Sequence, residues 1–548
     1  MTGAGTIDNV LAASEPTEAR ALGELIARLD GPGGPGVRGA REGGKAIGPA
    51  ALATIEVRGV TDDTRRLRPG SLFVAIRGEH VDGHDLIGDA RIAGATAAIV
   101  EQPVPGSPLP QVVVGRSRAA LADAAAWWYG DPSRSLGVVG ITGTDGKTTT
   151  SFLAVAALEA AGVSTGLIGT VETKIGELRE AHAEHLTTPG APDLQHALRA
   201  MIDGGNRAAV LETTSHGLAT DRVRSVAYDA AILTNLSHEH LEFHGSWEAY
   251  RDAKLSLFEK LAVGRGKPGK PAPAPAWPRL AVINADDANA SAFVGVAQEA
   301  GAAIVTYGAD ASADVRLARV EEDGRRLRVA YVAGGADASV DLRLAGRFNA
   351  YNALAVVALG QGLGLDADAV RAGLQSIERV PGRMETLDVG QPFGVVVDFA
   401  HSPASLQAVL DVLAPVAAAR GGGLIAVFGS AGERDTEKRP MMGRIAGERS
   451  RLVVVTDEDP RGEDREAILE EIAAGAEEAG RRRDRDLLLI PDRPAAVAAA
   501  FERAKPGDVV LLAGKGHEQS IIGPAGAVAY DERTTALAAL HELGFEAR

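Results

Sequence analysis

The chain has 548 residues, a net charge of −16 and no cysteine, with 45% hydrophobic and 24% charged residues. This length predicts several domains at about 100–200 residues each. The lack of cysteine excludes disulfides and cysteine nucleophiles, and the negative charge argues against nucleic acid as a partner. Because the sequence shows neither a long apolar run nor a secretory signal, we expect a cytoplasmic protein without membrane insertion.

The first part of the chain predicts a small α/β domain. Residues 1–50 include the glycine-rich stretch GPGGPGVRGAREGG, which predicts partly flexible surface. Beyond it the short apolar runs LFVAI, AAIV and QVVV lie at 72–76, 97–100 and 111–114. They alternate with polar turns and an alanine-rich segment, as strands and helices do in an α/β fold.

A second unit opens with the apolar run LGVVGIT at 136–142. Further strand-like runs follow at 208–212, 230–234 and 280–284. The proline-rich insert GRGKPGKPAPAPAWP, residues 264–278, interrupts this unit and predicts a polyproline-like surface loop.

A third unit begins near VPGRME at 380–385. Five predominantly apolar runs then recur every few tens of residues, in the order VVVD, LIAVF, LVVVT, LLLI and VVLLA. Helix-like alanine-rich segments lie between them. Apolar strands alternating with helices predict a doubly wound parallel sheet.

The sequence GTDGKTT at 143–149 has the features of a phosphate loop, between a strand and a helix-forming stretch. Glycines let backbone N–H groups surround phosphate, and a helix N-terminus favours negative charge. We expect Lys147 to neutralise the β- and γ-phosphates and the Thr148 hydroxyl to reach Mg²⁺. Ile141 stands where the usual pattern has its first glycine, so the loop is a variant, with a generic strand–turn–helix as the alternative.

Two further polar side chains are expected at the same sheet edge. Glu212 ends one apolar run, and His240 follows another. Since the carboxyl ends of parallel strands bind ligands in α/β folds, this pair suits a metal that bridges the γ-phosphate. His238 and His244 are interpreted as a polar helix start, and residue chemistry alone makes Lys254 a solvated helix lysine.

Seven motifs together resemble the Mur ligases of peptidoglycan synthesis: GITGTDGKTTT, LETTSHG, TNLSHEHLEFHG with Lys254, GRFNAYN, VPGRME, DFAHSP and GKGHE. Their order and spacing match over roughly residues 55–535. The segment TDDTRRLRPGSLFVAIRGEHVDGHD at 61–85 is similar to the members that add the third peptide residue. The resemblance implies a UDP-binding α/β domain (1–134), a P-loop ATPase domain (135–379) and a Rossmann-like amino-acid-binding domain (380–548).

The activity implied by the resemblance is an ATP-dependent amide ligation with Mg²⁺ in a monomeric enzyme. ATP would phosphorylate the D-Glu γ-carboxylate of UDP-MurNAc-L-Ala-D-Glu to an acyl phosphate. The amine of a diamino acid would then displace phosphate.

The resemblance also implies roles for individual residues. Catalysis would fall to Lys147, Glu212, His240 and Lys254. The nucleotide would meet Gly143, Thr144, Asp145, Gly146, Lys147, Thr148, Thr149 and Asn349. Magnesium would be held by Thr148, Glu212, His240 and a carbamate on Lys254. The UDP portion would contact Thr64, and the sugar-peptide Thr187, Thr188, Thr214, Thr220 and Arg222. The amino acid would contact Arg434, Glu458, Asp459, Pro460, Arg461, Gly514 and Glu518.

The chain departs from the family pattern at four places. Asp145 replaces Asn in the phosphate loop, and Thr64 and Thr214 replace serines. The selectivity motif Asp-Asn-Pro-Arg of diaminopimelate enzymes here begins at Glu458 and reads Glu-Asp-Pro-Arg.

The selectivity motif leaves two predictions open. Arg461 and Arg434 favour meso-diaminopimelate, whose distal carboxylate an arginine clamps bidentately. Asp459 would equally suit the side-chain ammonium of L-lysine or L-ornithine, especially if Asp459 itself pairs with Arg461.

Three other functions are less consistent with the motifs. A folylpolyglutamate-type ligase shares the core and the phosphate loop but lacks a UDP-binding first domain. A non-catalytic relative would have lost Lys147, Glu212, His240 or Lys254. A P-loop GTPase or kinase would not account for GKGHE or the terminal unit.

Overall fold

The computed structural model describes residues 6–78, 81–181, 187–237, 241–262, 276–323 and 326–546. The described strands form three large sheets of six, eleven and six strands, together with two small two-stranded sheets. Within this part of the chain, no helix combines the length and the apolar character needed to cross a membrane.

The first sheet has the strand order β3-β2-β8-β7-β6-β5, and β5 to β8 run parallel. The strands are β1 Arg20–Ala21, β2 Val37–Glu42, β3 Lys45–Ile47, β4 Glu56–Val57, β5 Val60–Thr61, β6 Leu72–Val74, β7 Ala97–Val100 and β8 Gln111–Val114. The helices are α1 Ile7–Ser14, α2 Leu22–Asp30, α3 Ile87–Ile92 and α4 Ser117–Trp128.

The glycine-rich stretch that we predicted as flexible surface contains regular structure. Strands β2 and β3 form a hairpin, and β2 pairs antiparallel with β8. Gly43 and Gly44 make the hairpin turn at φ of 55° and 81°, a backbone region that favours glycine. The glycines here therefore shape a turn at the sheet edge.

The second sheet is the largest, with the order β12-β11-β10-β13-β9-β14-β15-β16-β17-β18-β19. Its strands are β9 Gly137–Thr142, β10 Thr165–Ile168, β11 Glu172–Ile175, β12 Leu178–Ala181, β13 Ala208–Glu212, β14 Ala230–Leu233, β15 Leu280–Asn284, β16 Ala303–Gly308, β17 Val315–Asp323, β18 Arg326–Ala333 and β19 Ala336–Leu342. Its helices are α5 Lys147–Ala160, α6 Ala191–Asp203, α7 Ser215–Ala219, α8 Leu241–His244, α9 Trp247–Glu259, α10 Ala290–Glu299, α11 Phe348–Leu363 and α12 Ala367–Ser376.

Helices cover both faces of the parallel centre of this sheet. One apolar core packs α5, α11 and α12 against it, and a second core packs α6, α9 and α10 on the opposite face. Burial on both faces explains why the central strands are apolar throughout instead of alternating. Residues 264–275 of the proline-rich insert lie outside the described residues.

The third sheet has the order β20-β21-β25-β22-β23-β24, parallel except for β20. Its strands, with a following hairpin, are β20 Glu385–Leu387, β21 Gly394–Asp398, β22 Leu424–Phe428, β23 Leu452–Val455, β24 Leu487–Leu489, β25 Val509–Ala513, β26 Ser520–Gly523 and β27 Gly526–Ala529. The helices are α13 Pro403–Ala419, α14 Lys438–Arg449, α15 Arg465–Glu478, α16 Arg493–Glu502 and α17 Glu532–Glu542. Helices again pack on both faces, so the predicted doubly wound arrangement is confirmed.

Two sheet edges carry the residues singled out from the sequence. Strand β9 lies between β13 and β14, and all three are parallel, so their carboxyl ends meet at one edge. In the third sheet, the segments that follow β23 and β25 likewise begin at the carboxyl ends of parallel strands. Ligands bind at such edges in doubly wound folds.

Candidate active site

The predicted phosphate loop joins β9 to α5, and α5 begins at Lys147. Gly143 and Gly146 have φ of 147° and 81°. A Cβ at Gly143 would clash with the Thr234 hydroxyl, and one at Gly146 would lie 2.5 Å from Asn352 Oδ1. Both positions therefore require glycine, which keeps the loop backbone close to its surroundings.

Contacts with the segment after β14 anchor the loop. The Asp145 N–H donates to Asn235 Oδ1 at 3.0 Å, and the Thr234 hydroxyl donates to the Asp145 carbonyl at 2.6 Å. Thr144 Oγ1 lies 2.9 Å from the Tyr250 hydroxyl. The Asp145 side chain itself is exposed.

Two lysines converge on this loop. Lys147 Nζ donates to the carbonyl oxygens of Gly143 and Thr144 at 2.9 and 2.7 Å. Lys254 Nζ, from α9, donates to the same Gly143 carbonyl at 2.7 Å. Lys254 is 1% exposed and its Nζ lies 4.6 Å from the Tyr250 ring centroid. The interpretation of Lys254 as a solvated helix lysine is therefore wrong, because tertiary packing of α9 buries it against the loop.

A buried carboxylate lies next to the start of α5. Thr148 Oγ1 donates to Glu212 Oε2 at 3.0 Å. Thr170 binds the same carboxylate through its hydroxyl at 2.7 Å and its N–H at 3.0 Å. Glu212 is 1% exposed.

The structure brings together only part of the predicted magnesium set. A carboxylate and a hydroxyl are oxygen donors of the kind Mg²⁺ prefers, so Glu212 and Thr148 fit the ion. His240 lies outside the described residues. Among those described, no group of three or more acidic or histidine side chains forms a metal cluster.

Asn349 is linked to the loop through a second asparagine. Its Oδ1 accepts from Asn352 Nδ2 at 2.9 Å, and its Nδ2 donates to the Ala345 carbonyl at 2.7 Å. Asn352 Oδ1 in turn accepts from the Thr150 hydroxyl on α5 at 3.2 Å. The start of α11 is therefore held beside the start of α5.

Three of the predicted sugar-peptide residues cluster beyond the end of β13. Thr188 Oγ1 lies 3.0 Å from Thr214 Oγ1, and Arg222 donates to the Thr188 carbonyl at 2.8 Å. Burial lowers the pKa of Arg222, and the nearby Arg118 lowers it further.

Two more of the predicted sugar-peptide residues lie in the same region. Thr187 Oγ1 accepts from the Thr170 hydroxyl at 3.0 Å, next to Glu212. Thr220, at the end of α7, donates to the His216 carbonyl at 2.6 Å.

Thr64 begins a short 3₁₀ turn that ends at Arg66. Arg66 donates to both carboxylate oxygens of Asp193 on α6 at 2.6 and 3.0 Å. This ion pair brings the turn to the first turn of α6, where Asp193 lies five residues after Thr188 in the chain.

In the third unit, Asp459 pairs with a lysine that the sequence analysis did not consider. Asp459 Oδ1 lies 2.9 Å from Lys515 Nζ and also accepts from the Ile522 N–H at 2.8 Å. Lys515 Nζ is 2.5 Å from Glu518 Oε2. The alternative in which Asp459 pairs with Arg461 is therefore not the arrangement in this structure.

The other predicted amino-acid residues surround this group. Glu458 Oε2 and Arg461 Nε are buried and make no hydrogen bond within the described residues. Pro460 lies between Asp459 and Arg461, and Gly514 has φ of 98°. A Cβ on Gly514 would lie 3.2 Å from Glu458 Oε2. Arg434 is exposed in the loop before α14.

The sequence analysis assigned no role to Arg383 or Asp398. Arg383 Nη2 donates to Thr148 Oγ1 at 3.3 Å, so an arginine of the third unit reaches the phosphate loop. Burial raises the pKa of the nearby Asp398 carboxyl, while the Arg383 cation opposes that shift. The motifs VPGRME and DFAHSP contain these two residues, but only the fold brings Arg383 to the loop.

The chain is similar to known proteins over most of its length. Three family models match the chain: the Mur ligase family catalytic domain at 56–129, the Mur ligase middle domain at 141–360, and the Mur ligase glutamate ligase domain at 382–516. A UDP-N-acetylmuramyl-tripeptide synthetase of Roseiflexus sp. (strain RS-1) is 47% identical over 497 residues, covering 89% of this chain and 96% of the relative.

The chain belongs to the Mur ligase family. A UDP-N-acetylmuramoyl-L-alanyl-D-glutamate–2,6-diaminopimelate ligase of Geobacter metallireducens is 39% identical over 505 residues, 89% of this chain and 95% of that protein. A solved structure of an enzyme with that name superposes with a TM-score of 0.60 at 27% identity, covering 90% of this chain and 96% of that one. The prediction of a ligase is confirmed, and the GTPase or kinase alternative is wrong.

The arginine that reaches the phosphate loop gives a first testable prediction for this Mur ligase. We expect Arg383→Met to lower kcat about a hundredfold, because it removes a cation from the predicted phosphate loop, where negative charge on the transferred phosphate would be stabilised. The matched control is Arg379→Met, whose guanidinium binds Glu385 at 2.7 Å instead. Equal rates for the two variants, measured as ligation product, would contradict a role for Arg383.

Proposed function

We propose that this ligase adds meso-diaminopimelate to the D-Glu γ-carboxyl of UDP-MurNAc-L-Ala-D-Glu, with conversion of ATP to ADP and phosphate. The names of the two relatives support the tripeptide-forming step. We further propose a monomeric enzyme of the cytoplasm, where ATP is available, with domains at 1–134, 135–379 and 380–548.

One arrangement carries this proposal. The carbonyl of Gly143 accepts hydrogen bonds from Lys147 and Lys254, while Thr148 contacts both Glu212 and Arg383. Cations, a hydroxyl and a carboxylate from several elements thus surround one phosphate loop. Such a site fits phosphoryl transfer, in which positioning and electrostatic stabilisation supply most of the catalysis.

The reaction has two balanced steps. A γ-carboxylate oxygen of D-Glu attacks the γ-phosphorus of ATP, forming an acyl phosphate and releasing ADP. The neutral amine of the amino acid then attacks the acyl carbon, loses a proton, and expels phosphate as the amide forms. Activation is needed because a carboxylate resists nucleophiles.

Lys147, the loop N–H groups and Arg383 would stabilise the negative charge that develops on the transferred phosphate. Lys254 would carry a carbamate, which converts a buried cation into a carboxylate-like oxygen donor. Together with Thr148, Glu212 and His240 it would hold Mg²⁺, which supplies further neutralisation of phosphate charge when bound. Asn349 would contact the nucleotide base.

The substrate precursor would lie between the first two units. Thr64 would contact its UDP portion, and the cluster of Thr188, Thr214 and Arg222 would hold the sugar-peptide, with Thr187 and Thr220 beside it. The ion pair between Arg66 and Asp193 supports this placement, because it joins the turn at Thr64 to α6.

One observation favours a substrate with a distal carboxylate. Asp459 shares the Lys515 ammonium group with Glu518, so its pairing does not decide between the amino acids. Arg461, by contrast, has a buried Nε without a hydrogen-bond partner among the described residues. A carboxylate of diaminopimelate would satisfy this guanidinium, whereas L-lysine and L-ornithine would leave it unsatisfied at a cost of about 1–3 kcal/mol.

The test offers each amino acid separately, with ATP, Mg²⁺ and UDP-MurNAc-L-Ala-D-Glu, and measures phosphate release and the tripeptide product. We expect kcat/KM to be about ten- to a hundredfold higher for meso-diaminopimelate than for L-lysine or L-ornithine. Arg461→Ala should remove this preference while leaving the rate with L-lysine unchanged. A wild-type preference for L-lysine or L-ornithine would overturn the amino-acid assignment, and no ligation at all would overturn the proposed function.

A further inference from the structure

A buried arginine connects the two segments that carry most of the proposed amino-acid residues. Arg493 is the first residue of α16, and its side chain is 0% exposed. Its Nη1 donates to the Asp457 carbonyl at 2.9 Å, and its Nη2 donates to the Ala513 carbonyl at 2.7 Å. Asp457 directly precedes Glu458, and Ala513 directly precedes Gly514. One guanidinium group therefore holds the backbone at the start of both segments.

The sheet itself does not join these two segments directly. Strand β22 lies between β23 and β25 and pairs with both. The ladder hydrogen bonds thus position each outer strand against β22. The hydrogen bonds of Arg493 span the end of β22 and link the residues at the ends of β23 and β25 to each other.

A second buried charge fixes the orientation of this guanidinium group. Glu532, the first residue of α17, has a side chain that is also 0% exposed. Its Oε2 accepts from Arg493 Nε at 2.8 Å, and its Oε1 accepts from the Tyr530 hydroxyl at 3.0 Å. Tyr530 directly follows the hairpin of β26 and β27. The same cluster therefore also anchors the chain where it leaves that hairpin.

We propose that Arg493 is a positioning residue for the ligation, which sets the spacing between segments 458–461 and 514–518 through the two backbone carbonyls, and that Glu532 holds Arg493 in place. This inference rests on the proposed function, since it needs an amino acid that binds to these two segments. Neither residue belongs to the motifs from which the site was predicted.

The geometry of arginine is the physical reason. A guanidinium group carries its N–H donors in a rigid planar fork, so its two Nη atoms hold two carbonyl oxygens at a fixed separation. A lysine ammonium group is a point charge on a flexible chain. It could pair with Glu532, but it would not hold the Asp457 and Ala513 carbonyls together. Because the cluster is buried, a carbonyl that loses its donor is left unsatisfied.

The decisive variant is Arg493→Lys, which keeps the positive charge beside Glu532 and removes the planar fork. We expect KM to rise about tenfold for whichever amino acid the wild type uses best, because the binding segments lose their fixed spacing. KM for ATP and for UDP-MurNAc-L-Ala-D-Glu should stay within about twofold of the wild type. An unchanged KM for the amino acid would overturn the proposal.

The matched control is Arg451→Lys, at the opposite ends of the same strands. Arg451 directly precedes β23 and donates through Nε to Asp508 at 3.1 Å, and Asp508 directly precedes β25. This arginine also ties β23 to β25, but far from segments 458–461 and 514–518. We expect the control to lower thermal stability and to leave KM for the amino acid unchanged. An equal rise in KM in both variants would mean that Arg493 only stabilises the sheet.

A double variant separates positioning from stability. Arg493→Met alone leaves the Glu532 carboxylate buried without a cation, which is strongly destabilising, whereas removal of both charges of a buried pair often restores stability. We therefore expect Arg493→Met with Glu532→Leu to unfold at a higher temperature than Arg493→Met. Its KM for the amino acid should still be at least about tenfold above that of the wild type. A KM that returns to the wild-type value together with stability would overturn the proposal.

Hydrogen exchange tests the same link without any substrate. Arg493→Lys should speed amide exchange in segments 458–461 and 514–518, whereas Arg451→Lys should not. Unchanged exchange in Arg493→Lys would overturn the positioning role even if the wild type ligates an amino acid. Faster exchange in a protein whose wild type ligates none of the three amino acids would overturn the proposed function and leave the link between the two segments in place.

Discussion

Lys147→Met should lower kcat for ligation about a thousandfold. The Lys147 ammonium group lies over the phosphate loop, 2.9 and 2.7 Å from the Gly143 and Thr144 carbonyl oxygens. Methionine has a similar length but no charge, so the variant removes the cation from the γ-phosphate while it preserves the volume of the side chain. Phosphate release and tripeptide formation, each measured at saturating substrate, provide the test.

The variant should keep its fold and its affinity for the nucleotide sugar. Lys147 is half-buried and its hydrogen bonds go to carbonyl oxygens of its own loop. Thermal unfolding and calorimetric titration with UDP-MurNAc-L-Ala-D-Glu should therefore match the wild type. A kcat within threefold of the wild type would rule out the proposed role of Lys147.

The parallel sheets could be predicted from the sequence because strands that are buried on both faces form continuous apolar runs. Runs such as those at 136–142 and 424–428 are apolar throughout, and both form central strands. Glu212, which ends such a run, is the last residue of β13 and so lies at the predicted carboxyl edge. Local chemistry and strand direction suffice for these predictions.

Contacts between distant segments could not be predicted in this way. Arg383 reaches Thr148 across 235 residues, and Lys515 reaches Asp459 across 56 residues. Each contact depends on how helices and strands pack, which no local pattern records. Lys254 illustrates the same limit, because residue chemistry alone suggests a solvated lysine, whereas packing of α9 against the loop buries it.

Lys254→Ala should lower kcat at least about a hundredfold, and acetate or propionate should restore part of the rate. The side chain is buried and ends 2.7 Å from the Gly143 carbonyl, beside the phosphate loop. In the proposed mechanism its carbamate supplies an oxygen donor, so the alanine variant loses that donor and leaves space for a small carboxylate. Added methylammonium chloride should not restore activity, because it supplies a cation instead.

Lys174→Met is the matched control for this rescue. Lys174 is also a buried lysine of the second unit, but its Nζ binds Glu159 at 2.6 Å and the carbonyls of Thr165 and Gly176. Its replacement should lower thermal stability without creating a rate that depends on added carboxylate. The carbamate itself is measured by carbon-13 NMR after incubation with labelled bicarbonate, where the wild type should show a signal that Lys254→Ala lacks. If Lys254→Ala retained the full rate, or if the signal persisted in that variant, the carbamate would not be at Lys254.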